Sequence, residues 1–312
     1  MSTLPLSRGP EVPTRRPTDA RPRRSPGWWW IPLLAVLYWA FSGVQFNLGE
    51  LIAGIPQMQD WLRQSLPPDV TTITDGQRYG FPPEFTSVFQ LNPFAHLDAT
   101  MAEIRERWWA NTFPQTVVGA TLQTIQMAIA GTVVAVPFSL PFAFLAARNT
   151  SPHPAVYHTV KLIVNVLRSI PDFAVGLMLI TAIGLGPFTG TMALAFHTWT
   201  VLIKLFAESI ENIDEGVVEA IRATGAPYLA VVIWAVMPQV IPDFISMVLY
   251  RFETNIRSAS VLGLIGAGGI GFLMKSDFSL FQYQQAATTV LVLIALVMVV
   301  DYTSARLRRW VL

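Results

Sequence analysis

A short charged segment interrupts the apolar runs in the second half of the chain. It reads Glu219-Ala220-Ile221-Arg222-Ala223-Thr224-Gly225, and Pro238 follows thirteen residues after Gly225. A charged helical hairpin between apolar spans is a surface on which a protein outside the membrane can act. The segment therefore predicts a transport subunit that is driven by a partner.

Local signals predict that this segment is a helix followed by a turn. Asp214 can cap a helix that runs to Thr224, and Gly225 can end that helix in the left-handed conformation. Pro227 can then open the next helix at its first turn, where its missing N–H costs nothing. Four residues fall on one face at helical spacing: Val217, Val218, Ile221 and Thr224. Such a face can lie in a groove of another protein; the alternative is a plain loop that caps the bundle.

Charged residues in or beside the apolar runs are the second candidate for chemistry. They are Arg168, Asp172, Arg251, Glu253 and Arg257. Charges within membrane segments are costly, and they usually face the bundle interior or a wet cavity. Glu253 and Arg257 are four residues apart, so they share a helix face and can pair. Arg168 lies beside Pro171, where a broken helix frees backbone groups.

The composition indicates that a bilayer surrounds these residues. Of the 312 residues 52% are hydrophobic and 13% are charged, and the mean hydropathy is +0.45. Soluble domains have about 25% charged residues, so the chain is typical of a membrane protein. The absence of cysteine excludes disulfides and thiolate metal sites, and the four histidines have no metal-ligand spacing.

The distribution of apolar residues predicts an all-α integral membrane protein with six transmembrane helices. Residues 1–26 form a disordered tail rich in Pro and Arg, and 27–46 form the first span, which opens with three tryptophans. The remaining segments are an external or interfacial region at 47–114, a core domain at 115–305 with a cytoplasmic loop at 207–239, and a tail at 306–312. An amphipathic stretch near Leu51–Leu66 is expected at the membrane surface.

Charge placement predicts the orientation. The first tail carries six Lys and Arg residues, whereas segment 47–114 carries four basic residues and eight acids. The positive-inside rule places both termini in the cytoplasm, which fits an even number of spans. The same alternation places loop 207–239 inside.

The charged segment with its proline resembles the EAA loop of the permeases of binding-protein-dependent ABC importers. Glu219, Ala220, Gly225 and Pro238 match the pattern, while Ile221 replaces its second alanine. Ala235 and Met237 replace the usual Ile and Leu before the proline, and all three replacements are apolar.

Two further parts of the chain resemble the phosphonate-importer branch of these permeases. The first is Arg168–Phe173 with the glycine-rich Gly184–Gly190, and the second is Arg257–Gly263 running into Gly266–Gly271. The resemblance covers about residues 115–305 and extends poorly over the first 110. Methionine-importer permeases share a similar glycine-rich segment but are usually shorter.

The resemblance implies a type I ABC importer fold, similar to methionine-importer permeases, with cytoplasmic coupling helices. It implies a homodimeric pore in the cytoplasmic membrane of a bacterium and an external solute-binding protein. Two ATP-binding subunits would grip the segment at Glu219, Ala220, Arg222, Gly225 and Pro238. ATP and Mg²⁺ would bind those partners, and no cofactor and no nucleic acid is expected on this chain.

The resemblance also suggests a route for an anionic solute such as phosphonate, phosphate or phosphite. Arg168 and Arg257 are expected to line the route, because the arginine fork suits tetrahedral oxygens. Four neutral residues could donate hydrogen bonds: Ser169, Asn255, Ser258 and Ser260. The alternative is that both arginines are structural, paired with Asp172 and Glu253, or reach to the interface. Gln123 and Gln126 are expected to join helices.

The glycine-rich segment is expected to be structural. Gly266, Gly268, Gly269 and Gly271 superficially match a dinucleotide fingerprint but lie among membrane spans. They are expected to allow close helix approach or a non-helical break.

Other classes of protein lack their motifs. An intramembrane enzyme would need an aspartyl pair, a G-x-S-x-G serine or H-E-x-x-H, and none occurs. A passive channel or a permease for methionine or another small solute remains the alternative function.

Overall fold

The computed structural model describes residues 30–44, 48–73 and 116–311, and these residues are helices and turns without a strand. The predicted tail at 1–26 and most of the predicted external segment, residues 74–114, lie outside the described residues. The chain divides into two units, Met1–Met58 and Gln59–Leu312.

The first unit contains helices α1 (Trp30–Gly43) and α2 (Leu48–Ala53) and the start of α3 (Ile55–Ser65). Helix α1 has 14 residues, which rise about 21 Å and fall short of a hydrocarbon core of about 30 Å. The expected first span at 27–46 therefore stays a prediction. Helices α2 and α3 occupy the stretch that was expected to be amphipathic.

The second unit is a helical bundle. Its helices are α4 (Val117–Ala146), α5 (Pro154–Arg168), α6 (Asp172–Ile183), α7 (Pro187–Glu211), α8 (Glu215–Ala223), α9 (Tyr228–Val231), α10 (Met237–Leu262), α11 (Gly269–Ser279) and α12 (Tyr283–Val311). A π-helical turn at Val232–Val236 joins α9 to α10.

Four helical stretches of the described residues are long and apolar enough to cross a membrane: α4, α7, α12 and the continuous Tyr228–Ala267. Helices α5 and α6 add a fifth if they count as one span, although they are bent by 81°. The structure thus accounts for four or five of the six expected spans. The glycine turn predicted before α7 is present, with Gly184 at φ +101° and Gly186 at φ +141°.

Small residues let α4 and α7 pack closely. A side chain on Gly131 of α4 would lie 2.9 Å from Leu194 Cβ of α7, so only glycine fits this contact. The core continues towards the C-terminal end of α7, where Phe206 stacks on Phe244 of α10 with 4.0 Å between the ring centroids.

The ends of α4 define the two ends of the bundle. At its start, Gln123 Oε1 accepts the N–H of Gly269, which is the first residue of α11 (2.7 Å). Just past its end, Asn149 Nδ2 donates to the Ile210 carbonyl (2.6 Å), near the end of α7. Helix α11 and the start of α12 therefore lie at one end of the bundle, and α8 and α9 lie at the other.

Candidate functional site

Helix α8 forms as its sequence predicts. Asp214 Oδ1 accepts the Gly216 N–H at 2.8 Å and caps the helix. The helix ends at Ala223, and Gly225 takes φ +80° while its N–H donates to the Arg222 carbonyl (3.0 Å). Pro227 differs slightly from the expectation, because it lies just before the first helical residue of α9 rather than within its first turn.

The bundle occupies the apolar face of α8. Val218 is buried, and Ile221 packs against the same core cluster. The outward surface instead carries Val217, Glu219, Ala220 and Arg222, all of them exposed. Of the four residues on the expected apolar face, Val218 and Ile221 therefore pack on the bundle, whereas Val217 and Thr224 are exposed.

A cavity of about 190 Å³ lies between α8, α9 and the end of α4. Its lining includes Glu215, Glu219, Arg222, Asn149 and Tyr228. The Tyr228 hydroxyl donates to the Thr150 carbonyl (2.9 Å), which ties α9 to the segment after α4. The cavity is therefore bordered by α8, by α9 and by the segment after α4, and the last two are joined by a hydrogen bond.

The start of α10 connects α8 with the spans. Gln239 follows Pro238 in the first turn of α10, and its Oε1 accepts the Asp214 N–H (2.9 Å). Proline fits this turn because it follows the π-helical segment, where the regular hydrogen-bond pattern changes. Pro238 therefore lies at the start of α10, beside the residue that bonds to the cap of α8.

Arg257 takes part in an ion-pair network between α10 and α12. Its Nη2 lies 3.0 Å from Glu253 Oε1 and 2.7 Å from Asp301 Oδ1, and Glu253 also accepts from Arg308 Nη2 at 3.1 Å. Two positive and two negative charges thus alternate. The pairing of Glu253 with Arg257 is confirmed, and the structural alternative for Arg257 gains support from these contacts.

Asn255 lies at the centre of a polar cluster where α4, α7 and α10 meet. Its Nδ2 donates to Thr132 Oγ1 (2.8 Å), and its Oδ1 accepts from Thr198 Oγ1 (3.0 Å). Arg251 Nη2 adds contacts of 3.3 Å to Asn255 Oδ1 and to Thr198 Oγ1. From the sequence, Arg251 is one of the charged residues of the apolar runs and is not among the expected route residues. Its spacing of four residues from Asn255 is the signal that links the two.

The other expected route residues are dispersed. Arg168 ends α5 and is exposed, and Ser169 caps that helix by donating to the Val166 carbonyl (2.7 Å). Ser260 is buried and donates to the Ile256 carbonyl (3.0 Å), while Ser258 is half-buried. In the described residues Arg168 makes no ion pair with Asp172.

The glycine-rich segment breaks the chain between α10 and α11. Gly266, Gly268 and Gly269 all have positive φ, at +103°, +85° and +69°. A side chain on Gly271 would overlap the Ser260 carbonyl oxygen, so α11 lies directly against α10. Gln123 and Thr124 of α4 accept the first two N–H groups of α11, and Gln123 is thereby confirmed as a residue that joins helices.

The fold and its polar helix α8 define a class of protein: an α-helical, multi-pass membrane subunit with a short helix at one end of the bundle. Residues 139–311 match the family described as "Binding-protein-dependent transport system inner membrane component". The chain belongs to this family, and it is a transport subunit rather than an enzyme.

Two relatives and one solved structure show which kinds of permease this chain is similar to. The phosphite transport system permease protein PtxC of Stutzerimonas stutzeri is 45% identical over 188 residues, which are 60% of this chain and 68% of that protein. The phosphate-import permease protein PhnE of Mycolicibacterium smegmatis is 39% identical over 188 residues, 60% of this chain and 35% of that protein. A chain of the inward-facing MetNI methionine ABC transporter superposes with a TM-score of 0.55 at 20% identity, covering 69% of this chain and all of that one. This last similarity establishes the type I importer fold.

Proposed function

We propose that this chain forms the membrane pore of an ATP-driven importer for phosphorus oxyanions, namely phosphonate, phosphate or phosphite. The observation that carries the proposal is the 45% identity with a phosphite permease over 188 residues. The methionine alternative rests on lower similarity, at 27% and 29% identity with two methionine permeases and 20% with the MetNI chain, which supports a common fold and not a common solute.

In this proposal α8 is the coupling helix. Its exposed residues Glu219 and Arg222 present charges, and Val217 and Ala220 present apolar groups, to a groove of an ATP-binding subunit. Its buried Val218 packs on the bundle, and Asp214, which caps the helix, donates its N–H to Gln239 of α10, so a displacement of α8 would reach α10. Two ATP-binding subunits would act on two copies of this chain and switch the pore between inward-facing and outward-facing states.

The proposed orientation places α8 and both termini in the cytoplasm. The basic residues of the first tail and of the C-terminal turn, Arg308 and Arg309, support it through the positive-inside rule. An external solute-binding protein would then deliver the solute at the end that carries α11. Specificity for one oxyanion would reside largely in that protein.

Uptake by the reconstituted importer tests the proposal. The chain is placed in proteoliposomes with its ATP-binding subunits and solute-binding protein, and uptake of radiolabelled phosphite is measured with ATP. Glu219→Lys should reduce both uptake and co-purification of the ATP-binding subunit at least about tenfold, because a reversed charge at a contact opposes docking by about 1.4 kcal/mol or more.

Glu219→Gln is the matched control, and it should retain more of both signals because it removes the charge without reversing it. ATP-dependent uptake of methionine but not of phosphite would contradict the proposed solute. Unreduced co-purification of the ATP-binding subunit with Glu219→Lys would contradict the proposed role of α8.

A further inference from the structure

We propose that Arg251, together with Thr198 and His197, forms an oxyanion-binding site inside the membrane bundle of this chain. The inference rests on the proposed function and adds a site for the solute within the permease. Its geometric basis is a buried guanidinium without an anionic partner, held where three spans meet.

Arg251 is buried in the middle of the bundle. Only 8% of its surface is exposed, and its contacts lie on α7 and on its own helix α10. Asn255, one turn along, reaches Thr132 on α4. Thr132 and Thr198 both lie near the midpoints of their helices, so the cluster is far from either end of α4 and α7.

The charge of Arg251 has no counter-ion within ion-pair distance in the described part of the chain. Its hydrogen-bond acceptors, Thr198 Oγ1 and Asn255 Oδ1, are neutral, and both distances are 3.3 Å, longer than ordinary bonds of this type. In contrast, Arg257 is paired with two carboxylates. A charge without an ion-pair partner at membrane depth is costly, so a bound anion would stabilise the site.

One donor group and one ring nitrogen in this cluster lack a hydrogen-bond partner among the described residues. Arg251 Nε is buried without a hydrogen-bond partner, although the guanidinium has five N–H groups to donate. His197, which precedes Thr198 on α7, has a buried Nδ1 that also lacks a partner. The Nε–Nη2 edge of arginine fits two oxygens of a tetrahedral oxyanion. His197 Nδ1 can donate to a third oxygen when the imidazole is protonated, and the Thr198 hydroxyl can donate to the anion by releasing Asn255 Oδ1.

Asp172 explains why an anion would bind only transiently. Its carboxylate is close enough to act electrostatically on both Arg251 and His197, although it forms no ion pair with Arg251. Its negative charge opposes permanent occupation by an oxyanion. A site whose positive charge is partly offset by a nearby carboxylate suits an anion that must bind and then leave.

The test measures phosphite transported per ATP hydrolysed by the complete importer in proteoliposomes. Arg251→Gln should lower this ratio at least about tenfold, the effect of losing a charge-assisted hydrogen bond. Thr198→Val should lower it less, and Arg251→Lys should retain part of it because the charge remains. Lys204→Gln, which removes a positive charge of α7 outside the cluster, should leave the ratio unchanged.

A lipid head group offers the same phosphate chemistry, and thermal unfolding in nanodiscs distinguishes the two sources. In the absence of the solute-binding protein, added phosphite should raise the unfolding temperature of the wild-type permease with its ATP-binding subunits more than that of Arg251→Lys. Equal shifts in both proteins would contradict a solute site at Arg251.

The result that overturns the inference is a ratio within twofold of wild type for Arg251→Gln. If that variant does not assemble, wild-type ratios for both Arg251→Lys and Thr198→Val overturn it instead. A wild-type importer that moves no phosphite, phosphate or phosphonate contradicts the proposed function itself, whereas normal wild-type transport with unaffected variants contradicts only the site.

Discussion

Replacing Gly263 with alanine should destabilise the bundle, because the added Cβ would overlap backbone atoms and no side-chain rotation can relieve the overlap. An added Cβ would lie 2.7 Å from the Gly268 carbonyl oxygen, 2.7 Å from the Phe272 nitrogen and 2.8 Å from Gly271 Cα. All three are backbone atoms of residues 268–272, at the start of α11. Since favourable contacts begin at about 3.5 Å, α11 would have to move by about 0.8 Å.

The expected cost follows from this overlap. Overpacking costs about 1–3 kcal/mol, and a backbone clash belongs at the upper end. Gly263 has helical dihedrals, φ −55° and ψ −37°, so alanine regains up to about 1 kcal/mol in helix propensity. The net loss of about 2 kcal/mol corresponds to a decrease of about 4–8 °C in the unfolding temperature of a domain of this size.

Thermal unfolding of the purified permease in detergent measures this decrease. Gly43→Ala is the control, because no atom lies within 4 Å of the added Cβ and the residue is not in a left-handed conformation. Equal unfolding temperatures for Gly263→Ala and Gly43→Ala would refute the close approach of α10 and α11.

Three further perturbations follow from other contacts. Gln123→Leu leaves the Gly269 N–H without its acceptor and should cost about 1–3 kcal/mol of unfolding free energy, whereas Gln123→Glu keeps an acceptor and should cost less. Arg257→Gln and Asp301→Asn should each lower the free energy of unfolding by about 0.2–1 kcal/mol, since both side chains are partly exposed. The double variant should lose less than the sum of the two single losses, and strict additivity would contradict the ion pair. Gly225→Val should lower ATP-dependent uptake, because valine at φ +80° is strained, and unchanged uptake would contradict the turn after α8.

The sequence predicted the features that depend on local composition. Long apolar runs predicted α4, α7, α10 and α12, because spanning a bilayer requires about 20 apolar residues whatever the neighbours. The turn at Gly184 and Gly186 followed from the glycines themselves, which accept positive φ.

The features that depend on packing could not be predicted in the same way. The bend of 81° between α5 and α6 occurs at Pro171, but a proline signals a break and not its angle. The cluster around Asn255 joins residues 57 and 123 positions away, and only the packing of three helices brings them together. Likewise, the amphipathic pattern of α8 could not tell whether Val218 would meet a partner protein or its own bundle.

Accessibility of α8 tests the central claim most directly, and the absence of cysteine from the chain allows single-cysteine labelling. Val217, which is 41% exposed on α8, and Phe281, which is 76% exposed between α11 and α12, mark opposite ends of the bundle. In intact cells a membrane-impermeant maleimide should label Phe281→Cys and spare Val217→Cys. In inverted vesicles stripped of ATP-binding subunits it should label Val217→Cys, and adding those subunits should protect that cysteine. Labelling of Val217→Cys from outside the cell, or no protection by the ATP-binding subunits, would contradict the account.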